Sequence, residues 1–301
     1  MTGNDKKEGR KVMNQMKIES IKDRIPLNNG MSIPQLGFGC FQLADEEIEQ
    51  VIQWAAAAGY RYFDAATRYE NEKGVGRGLK TCGVPREELF VVSKIWPSCF
   101  DEPEKAVEYS LRQLDADYID SYFLHWPSSS ETRRYKAWET LLEYREKGFL
   151  KSVGVSNFTE EQLEKLIQKF GVVPVINQVE LHPWYPQTEL VRYCRKKGIA
   201  VTAWGPIFRG HIGEVSLMEE LGEKYGKSPV QITLRWHLQH GNIVIPKSSK
   251  EERIRANAQL YDFELSEEDM KRIDALENGR HFGSDPNTND GENFRVIYEE
   301  T

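Results

Sequence analysis

The sequence predicts an α/β fold, a (β/α)8 barrel of the TIM type, and three observations lead to that prediction. Eight short apolar runs have the length of buried strands, and segments with the period of an amphipathic helix separate them. Strands that are apolar throughout are typical of a covered parallel sheet, and a count of eight fits a closed barrel. Glycines stand where each helix should end. They are Gly59, Gly83, Gly148, Gly171, Gly198 and Gly241.

The elements follow in a regular order. DRIPLNNGMSIPQ predicts a short N-terminal β-hairpin, because Asn28, Asn29 and Gly30 accept the left-handed conformation of a tight turn. Among the helical segments, EEIEQVIQWAAAAG has one apolar face, and TEEQLEKLIQKFG opens with a capping box of Thr159 and Gln162. The strand runs are LGFGC, RYFDAA, LFVVSK, YIDSYFLHW, KSVGVSNF, PVINQVEL, IAVTAW and NIVIPKS.

The chain is predicted to form one barrel domain, residues 23–301, after a flexible polar tail at residues 1–22, with residues 280–301 as a C-terminal loop. A doubly wound open sheet is the alternative architecture. That fold would carry a G-x-G-x-x-G turn after its first strand, whereas Gly74, Gly76 and Gly78 have no strand before them.

Composition and charge disfavour several classes of protein. With 301 residues, of which 39% are hydrophobic, the chain can bury a large core, and its net charge of −7 gives no general attraction for nucleic acid or anionic membranes. No apolar run reaches the length of about 18 residues that a membrane helix needs, and the N-terminus lacks the apolar stretch of a signal peptide. We therefore expect a cytoplasmic protein, with its four cysteines as reduced thiols.

Polar residues occupy the carboxyl ends of the predicted strands, where the working residues of such a barrel lie. Strand two ends at Asp64, with Tyr69 five residues later, strand three ends at Lys94, and strand four ends at His125. Each could have a purely structural role, but together they converge on one rim. The later strands add Ser156, Asn157, Gln178, Trp204, Lys247 and Ser248.

The first four of these residues suit the reduction of a carbonyl group. A buried ammonium is costly unless it is paired, so Asp64 is the expected partner of Lys94. The cation should lower the pKa of Tyr69 from the ordinary phenol value of about 10. Tyr69 would then donate a proton to a developing alkoxide that His125 also binds. No side chain supplies a hydride, so a nicotinamide cofactor is implied.

The stretch IPKSSKEERIRAN, after strand eight, has the character of a phosphate site. It places Lys247, Ser248, Lys250 and Arg253 around the start of a helix, where cations and the helix dipole favour a phosphate. A phosphate on the ribose predicts NADPH rather than NADH. The residues suited to the nicotinamide end are Ser156, Asn157 and Gln178 for a carboxamide and Trp204 for ring stacking.

Six stretches together resemble the successive motifs of the aldo-keto reductase superfamily, including its bacterial members. They are FDAATRYENEKGVGRGL, VVSKIW, DSYFLHWP, GVSNF, NQVELHP and IPKSSKEERIRAN, within roughly residues 24 to 280. The resemblance implies an NADP(H)-dependent reductase of small aldehydes and ketones that is monomeric or weakly associating. It also implies that Asp64, Tyr69, Lys94 and His125 form a catalytic tetrad with the tyrosine as proton donor.

The resemblance also assigns residues to the cofactor and the substrate. Those matching positions around the 2′-phosphate and adenine are Lys247, Ser248, Arg253 and Asn257, and those nearer the nicotinamide and pyrophosphate are Ser156, Asn157, Gln178, Trp204, Gly205 and Ile207. Gly205 departs from a common serine and offers no hydroxyl, and Ala256 stands where an acid or amide is common. Phe41, Trp96 and Trp126 are expected to line an apolar mouth that the C-terminal loop partly covers.

Two alternatives of other classes are considered. A metal-dependent hydrolase barrel would need clustered ligands on several strands, whereas strand six offers only Glu180 and His182. We interpret both as structural, and no metal is predicted. The second alternative is a non-catalytic NADPH-binding or structural barrel, against which the complete tetrad argues.

Overall fold

The chain folds as a barrel of parallel strands, as the sequence predicts. A computed structural model describes residues 19–294, so most of the predicted tail at residues 1–22 and the end of the C-terminal loop, residues 295–301, lie outside the described residues. The strands are β1 (Arg24–Pro26), β2 (Ser32–Pro34), β3 (Phe38–Gly39), β4 (Tyr62–Asp64), β5 (Phe90–Ile95), β6 (Ser121–Leu124), β7 (Val153–Ser156), β8 (Ile176–Glu180), β9 (Ala200–Trp204) and β10 (Ile243–Val244).

Strands β3 to β10 lie side by side in sequence order, and every neighbouring pair is parallel. The two outermost strands approach each other where Leu36 bridges Val244, and the Gly37 N–H donates to the Val244 carbonyl at 2.8 Å. This contact brings the sheet round into a nearly closed barrel. The alternative of an open doubly wound sheet is therefore wrong.

The predicted hairpin covers the end of the barrel at which the strands begin. β1 and β2 pair antiparallel, and Gly30 takes a positive φ of 85° in the turn between them. The Asn28 side chain donates to the Pro174 carbonyl, just before β8, at 3.0 Å. Leu27 and Ile33 pack into an apolar cluster with the first residues of several barrel strands. The hairpin thus closes this end with hydrophobic side chains.

Within residues 19–294, ten α-helices accompany the strands. They are α1 (Asp45–Ala57), α2 (Glu72–Thr81), α3 (Pro103–Leu114), α4 (Glu131–Glu146), α5 (Glu160–Phe170), α6 (Thr188–Lys196), α7 (Ser216–Tyr225), α8 (Pro229–Gln239), α9 (Glu251–Asn257) and α10 (Glu267–Asp274). The capping box of Thr159 and Gln162 is present, and all six predicted helix-ending glycines have positive φ. No described helix is long and apolar enough to cross a membrane.

The closely spaced glycines lie inside α2 and serve helix packing. A Cβ at Gly74 would come within 2.2 Å of the Asp45 carbonyl oxygen, and one at Gly76 would come within 2.5 Å of the Leu114 carbonyl oxygen. Only a residue without a side chain allows such approaches. These glycines therefore hold α2 against its neighbouring helices and form no phosphate turn.

Some strands are shorter than the sequence indicates. β10 ends at Val244, so Lys247 and Ser248 lie in the loop before α9 rather than on a strand. Pro246 has no N–H to donate to a ladder, although its carbonyl accepts from Gly39 at 3.1 Å. The proline thus ends the strand, and the segment that begins at Lys247 lies outside the sheet.

Candidate active site

Lys94 is fully buried in β5, and its ammonium makes the predicted ion pair. Its Nζ donates to Asp64 Oδ1 at 2.5 Å and to the Ala65 carbonyl at 2.8 Å, and it lies 3.3 Å from Tyr69 Oη. Asp64 ends β4, the neighbour of β5 in the sheet, so the parallel pairing brings the two side chains together. Burial lowers the pKa of Lys94, and the adjacent Asp64 opposes that shift.

Asp64 is further held by two groups on its second carboxylate oxygen. Tyr62 Oη donates to Asp64 Oδ2 at 2.9 Å, and Gln178 Nε2 donates to it at 2.7 Å. The role of Tyr62 was not predicted, although residues two apart on a strand share a face. Gln178 was predicted to bind a carboxamide, and here its amide nitrogen is engaged by the carboxylate.

Tyr69 stands at the end of a short 3-10 turn, Thr67–Tyr69, that follows β4. The Thr67 hydroxyl donates to the Lys94 carbonyl at 2.9 Å and fixes this turn against β5. Burial, followed by Asp64 and Cys40, raises the pKa of Tyr69 well above its ordinary value. The expectation that the pKa of Tyr69 lies below the ordinary phenol value is wrong, because the loss of solvation outweighs the stabilisation of the phenolate by the nearby cation. The phenol is therefore protonated at neutral pH.

His125 directly follows β6 and packs among aromatic rings. Its ring lies 4.9 Å from the Trp96 ring and 5.7 Å from the Tyr69 ring, edge to face in both contacts. Burial, then the charges of Lys94 and Arg68, lower the pKa of His125 well below its usual value. Its imidazole is therefore neutral at physiological pH and can donate only one hydrogen bond.

A chain of hydrogen bonds links the residues predicted for the nicotinamide end. The Ser156 hydroxyl donates to the Gln178 carbonyl at 2.7 Å and accepts from Asn157 Nδ2 at 3.1 Å. Trp204 Nε1 donates to Asn157 Oδ1 at 2.8 Å. Asn157 has a positive φ of 63°, which turns its side chain back towards these partners. The structure thus brings all four residues together across β7, β8 and β9.

The segment before and within α9 gathers three exposed cations, Lys247, Lys250 and Arg253. In the described part of the chain, no carboxylate forms an ion pair with any of them. Ser248 is buried, and its hydroxyl accepts from the Lys250 N–H at 3.1 Å. Free cations at the start of a helix match the donors that a phosphate requires, so this segment fits a phosphorylated cofactor. Asn257 is buried at the other end of α9.

The loop after β9 has an unusual backbone. Gly205 has a φ of 61°, and Phe208, Arg209 and Gly210 all have positive φ. Ile207, immediately before them, packs against the core. The buried Phe208 ring lies 4.7 Å from the Trp184 ring, and this packing offsets the strain of its backbone.

Phe41, Trp96 and Trp126 were predicted to line an apolar mouth beside the tetrad. The Phe41 ring lies 5.1 Å from the Tyr69 ring and is 39% exposed, whereas Trp96 and Trp126 are buried. Trp96 Nε1 donates to the Gly291 carbonyl at 2.8 Å, which brings the C-terminal segment to the pocket. Described residues of this segment therefore contact Trp96, which packs against His125.

Two carboxylates, both missed in this role by the sequence analysis, hold the C-terminal segment. Glu180 accepts from the Phe282 N–H at 2.8 Å, from the Gly283 N–H at 2.7 Å, and contacts His182 at 3.0 Å. Asp290 accepts from Ser128 and Ser129. Among the described residues, no group of three histidine, cysteine or acidic side chains could hold a metal ion. Phe282 and Gly283 lie about a hundred residues from Glu180, so no local pattern indicates these two contacts.

Comparison with known proteins gives a consistent result. A family model described as "Aldo/keto reductase family" matches residues 35–278. An aldo-keto reductase of Mycolicibacterium smegmatis is 43% identical over 267 residues, which cover 88% of this chain and 97% of that protein. Methylglyoxal reductase DkgA of Escherichia coli O157:H7 is 42% identical over 264 residues (87% and 96%). Glyoxal reductase of Bacillus subtilis is 42% identical over 271 residues (89% and 97%).

Solved structures agree with this relationship. The crystal structure of an aldo/keto reductase from Brucella melitensis has a TM-score of 0.82 and 41% identity, and covers 85% of this chain and 99% of that one. The crystal structure of a point mutant of Gox0644 in complex with NADPH has a TM-score of 0.84 and 36% identity. The match covers 89% of this chain and 98% of that one.

Proposed function

Since this chain belongs to the aldo/keto reductase family, we propose that it is an NADPH-dependent enzyme that reduces aldehydes and ketones to alcohols, with Tyr69 as the proton donor. One observation carries the proposal. The Tyr69 hydroxyl lies 3.3 Å from a buried ammonium, Lys94, which is itself paired with Asp64. A protonated phenol held by a cation is what proton delivery to an alkoxide needs.

The four residues have distinct roles in this mechanism. NADPH, when bound, supplies the hydride that reduces the carbonyl carbon. Tyr69 Oη gives its proton to the carbonyl oxygen, and the Lys94 ammonium stabilises the phenolate that results. Asp64 keeps Lys94 charged against the cost of burial. The neutral imidazole of His125 donates a hydrogen bond to the same carbonyl oxygen and so orients it.

Residues at the end of the barrel where the strands finish would hold the cofactor. Lys247, Lys250 and Arg253 would bind its phosphate, which favours NADPH over NADH. Gln178 uses its amide nitrogen on Asp64, so its amide oxygen is left as an acceptor for the carboxamide. Trp204 would stack on the nicotinamide ring. The other proposed cofactor contacts are Ser156, Asn157, Gly205, Ile207, Ser248 and Asn257.

The test is oxidation of NADPH, followed by its nicotinamide absorbance, with a panel of carbonyl compounds and with NADH in parallel. The panel contains methylglyoxal and glyoxal, because the related reductases carry those names, together with aromatic aldehydes, aldoses and keto acids. We expect turnover of at least one class, faster with NADPH than with NADH. Binding of NADPH without turnover of any of them would instead support the non-catalytic alternative.

A further inference from the structure

Arg68, directly before Tyr69, is a cation that the mechanism above does not use. It lies in the 3-10 turn after β4 and is half-buried. Its guanidinium carbon lies 4.4 Å from the centre of the Phe294 ring and 5.7 Å from that of the Trp96 ring. The Trp96 ring packs against His125, so the guanidinium lies in the same aromatic cluster as a residue of the tetrad.

Arg68 lies against aromatic rings with no anionic partner within residues 19–294, whereas two other arginines in such contacts have one. Arg86 lies over Tyr118 at 4.1 Å and pairs with Asp120 at 2.7 Å. Arg280 lies over Trp184 at 4.4 Å and pairs with Glu214 at 2.7 Å. Over residues 19–294, no carboxylate pairs with Arg68. Its charge is therefore available to a group that enters the pocket.

The position of Arg68 relates this charge to the reacting centre. A single indole, that of Trp96, contacts both the Arg68 guanidinium and the His125 ring. Lys94, a second cation beside His125, is already bound by Asp64. Within residues 19–294, Arg68 thus leaves a positive charge without an ion-pair partner close to His125, in a protein whose net charge is −7.

The stacking geometry also suits anion binding. The aromatic contact at 4.4 Å restricts the motion of the guanidinium, and within residues 19–294 none of its N–H groups donates a hydrogen bond. Two parallel N–H donors of a guanidinium match the two oxygens of a carboxylate. A held, unpaired guanidinium is therefore ready to bind a carboxylate with little further ordering.

We propose that Arg68 binds a carboxylate of the substrate, so that this reductase prefers carbonyl compounds carrying a carboxylate group near the reacting carbonyl, such as oxo acids and carboxylated aromatic aldehydes. The inference rests on the proposed function, because it concerns the substrate of the same site. It concerns the wall of the pocket and leaves the reduction chemistry unchanged.

The test compares benzaldehyde with 2-, 3- and 4-carboxybenzaldehyde at saturating NADPH in the wild type and in Arg68→Met. In the wild type, we expect at least one carboxylated isomer to have a higher kcat/KM than benzaldehyde. The specificity ratio is the kcat/KM of the best carboxylated isomer divided by that of benzaldehyde. Arg68→Met should lower this ratio about 10- to 100-fold, because the carboxylate loses a hydrogen-bonded charge contact. Most of the change should be a higher KM for the carboxylated isomer. Arg68→Lys keeps the charge but loses the planar fork, and should give an intermediate ratio.

Arg112→Met is the matched control, because Arg112 is exposed on α3 and its loss changes the net charge equally. The control should leave the ratio at its wild-type value. Turnover of benzaldehyde with no advantage for any carboxylated isomer, or an unchanged ratio in Arg68→Met, would overturn the role of Arg68 and leave the proposed function standing. Failure of all four aldehydes and of the wider panel, with NADPH bound, would overturn both.

Discussion

The two ends of this barrel are built on opposite principles. At the end where the strands begin, Leu27 and Ile33 of the hairpin close the interior with apolar side chains. At the end where the strands finish, Asp64 and Lys94 place an ion pair in a fully buried position. Tyr62 connects the two, because its ring belongs to the apolar cluster while its hydroxyl donates to Asp64.

This difference shows how the fold divides stability from chemistry. The apolar end gains free energy from burial, at about 25 cal/mol per Å² of apolar surface removed from water. The polar end must offset the desolvation of two charges, which a pair of apolar side chains would avoid. A barrel selected only for stability would have no reason to bury Lys94. Substitutions at the two ends should therefore affect different measured quantities.

The largest effect is expected at the polar end. Lys94→Met should lower kcat by roughly 10²- to 10⁴-fold, because Tyr69 loses the cation that stabilises its phenolate. It should also lower the free energy of unfolding by about 3–5 kcal/mol, since Asp64 keeps a buried charge without its counter-ion. The double variant Asp64→Asn/Lys94→Met removes both buried charges. In urea unfolding it should therefore be more stable than Lys94→Met, while its kcat should stay low. A double variant less stable than Lys94→Met would contradict this account of the pair.

At the apolar end, Ile33→Ala should act on stability alone. Ile33 is fully buried, so its truncation should cost about 2–5 kcal/mol of unfolding free energy. The kcat of the folded fraction should match the wild type, because no contact of the tetrad is changed. Ile25→Ala, on the other strand of the hairpin at a half-buried position, is the control and should cost less. A large loss of kcat in Ile33→Ala would show that the two ends are not separable.

Glu72 tests whether buried charge is confined to the polar end. Its carboxylate on α2 accepts from Ser93 at 2.5 Å and from Ser110 at 3.3 Å, and burial raises its pKa to about 7. The folded state therefore binds a proton that the unfolded state releases near its ordinary pKa, so stability should decline as pH rises towards 7. The free energy of unfolding is measured with urea between about pH 5 and pH 8. It should fall over this range in the wild type, and Glu72→Gln should make the fall smaller by up to about 3 kcal/mol. An unchanged pH dependence would mean that Glu72 is ionised throughout.

The smallest effect is expected among the exposed cations after β10. Arg253→Ala should weaken NADPH binding by about 10-fold or somewhat more, since one charged hydrogen bond is lost, and should leave NADH binding unchanged. Arg255→Ala on the same helix is the control, because Arg255 already pairs with Glu251. Fluorescence titration measures both cofactors. Equal weakening of NADPH and NADH would show that Arg253 does not recognise the phosphate.

Much of the fold follows from local sequence patterns. Apolar runs predict the strands, and glycines such as Gly59 and Gly171 mark helix ends because positive φ is easily reached there. The pairing of Asp64 with Lys94 also follows, since a buried ammonium needs a counter-ion. These inferences succeed because each depends on neighbours in sequence or on adjacent strands.

Other features depend on contacts between distant residues, which a sequence pattern does not encode. The binding of the C-terminal segment by Glu180 joins residues about a hundred positions apart. The pKa of Tyr69 was predicted in the wrong direction, because the extent of its burial depends on the whole rim. Arg68 was passed over because its surroundings include Phe294, at the far end of the chain.

The role of Tyr69 is the central claim, and Tyr69→Phe tests it most directly. The variant keeps the ring and removes only the hydroxyl, so it should bind NADPH with nearly the wild-type Kd. Its turnover of the best carbonyl substrate should fall by roughly 10²- to 10⁴-fold, because the proton donor is lost. Wild-type turnover in Tyr69→Phe, with NADPH still bound, would contradict the account and place the proton donor elsewhere.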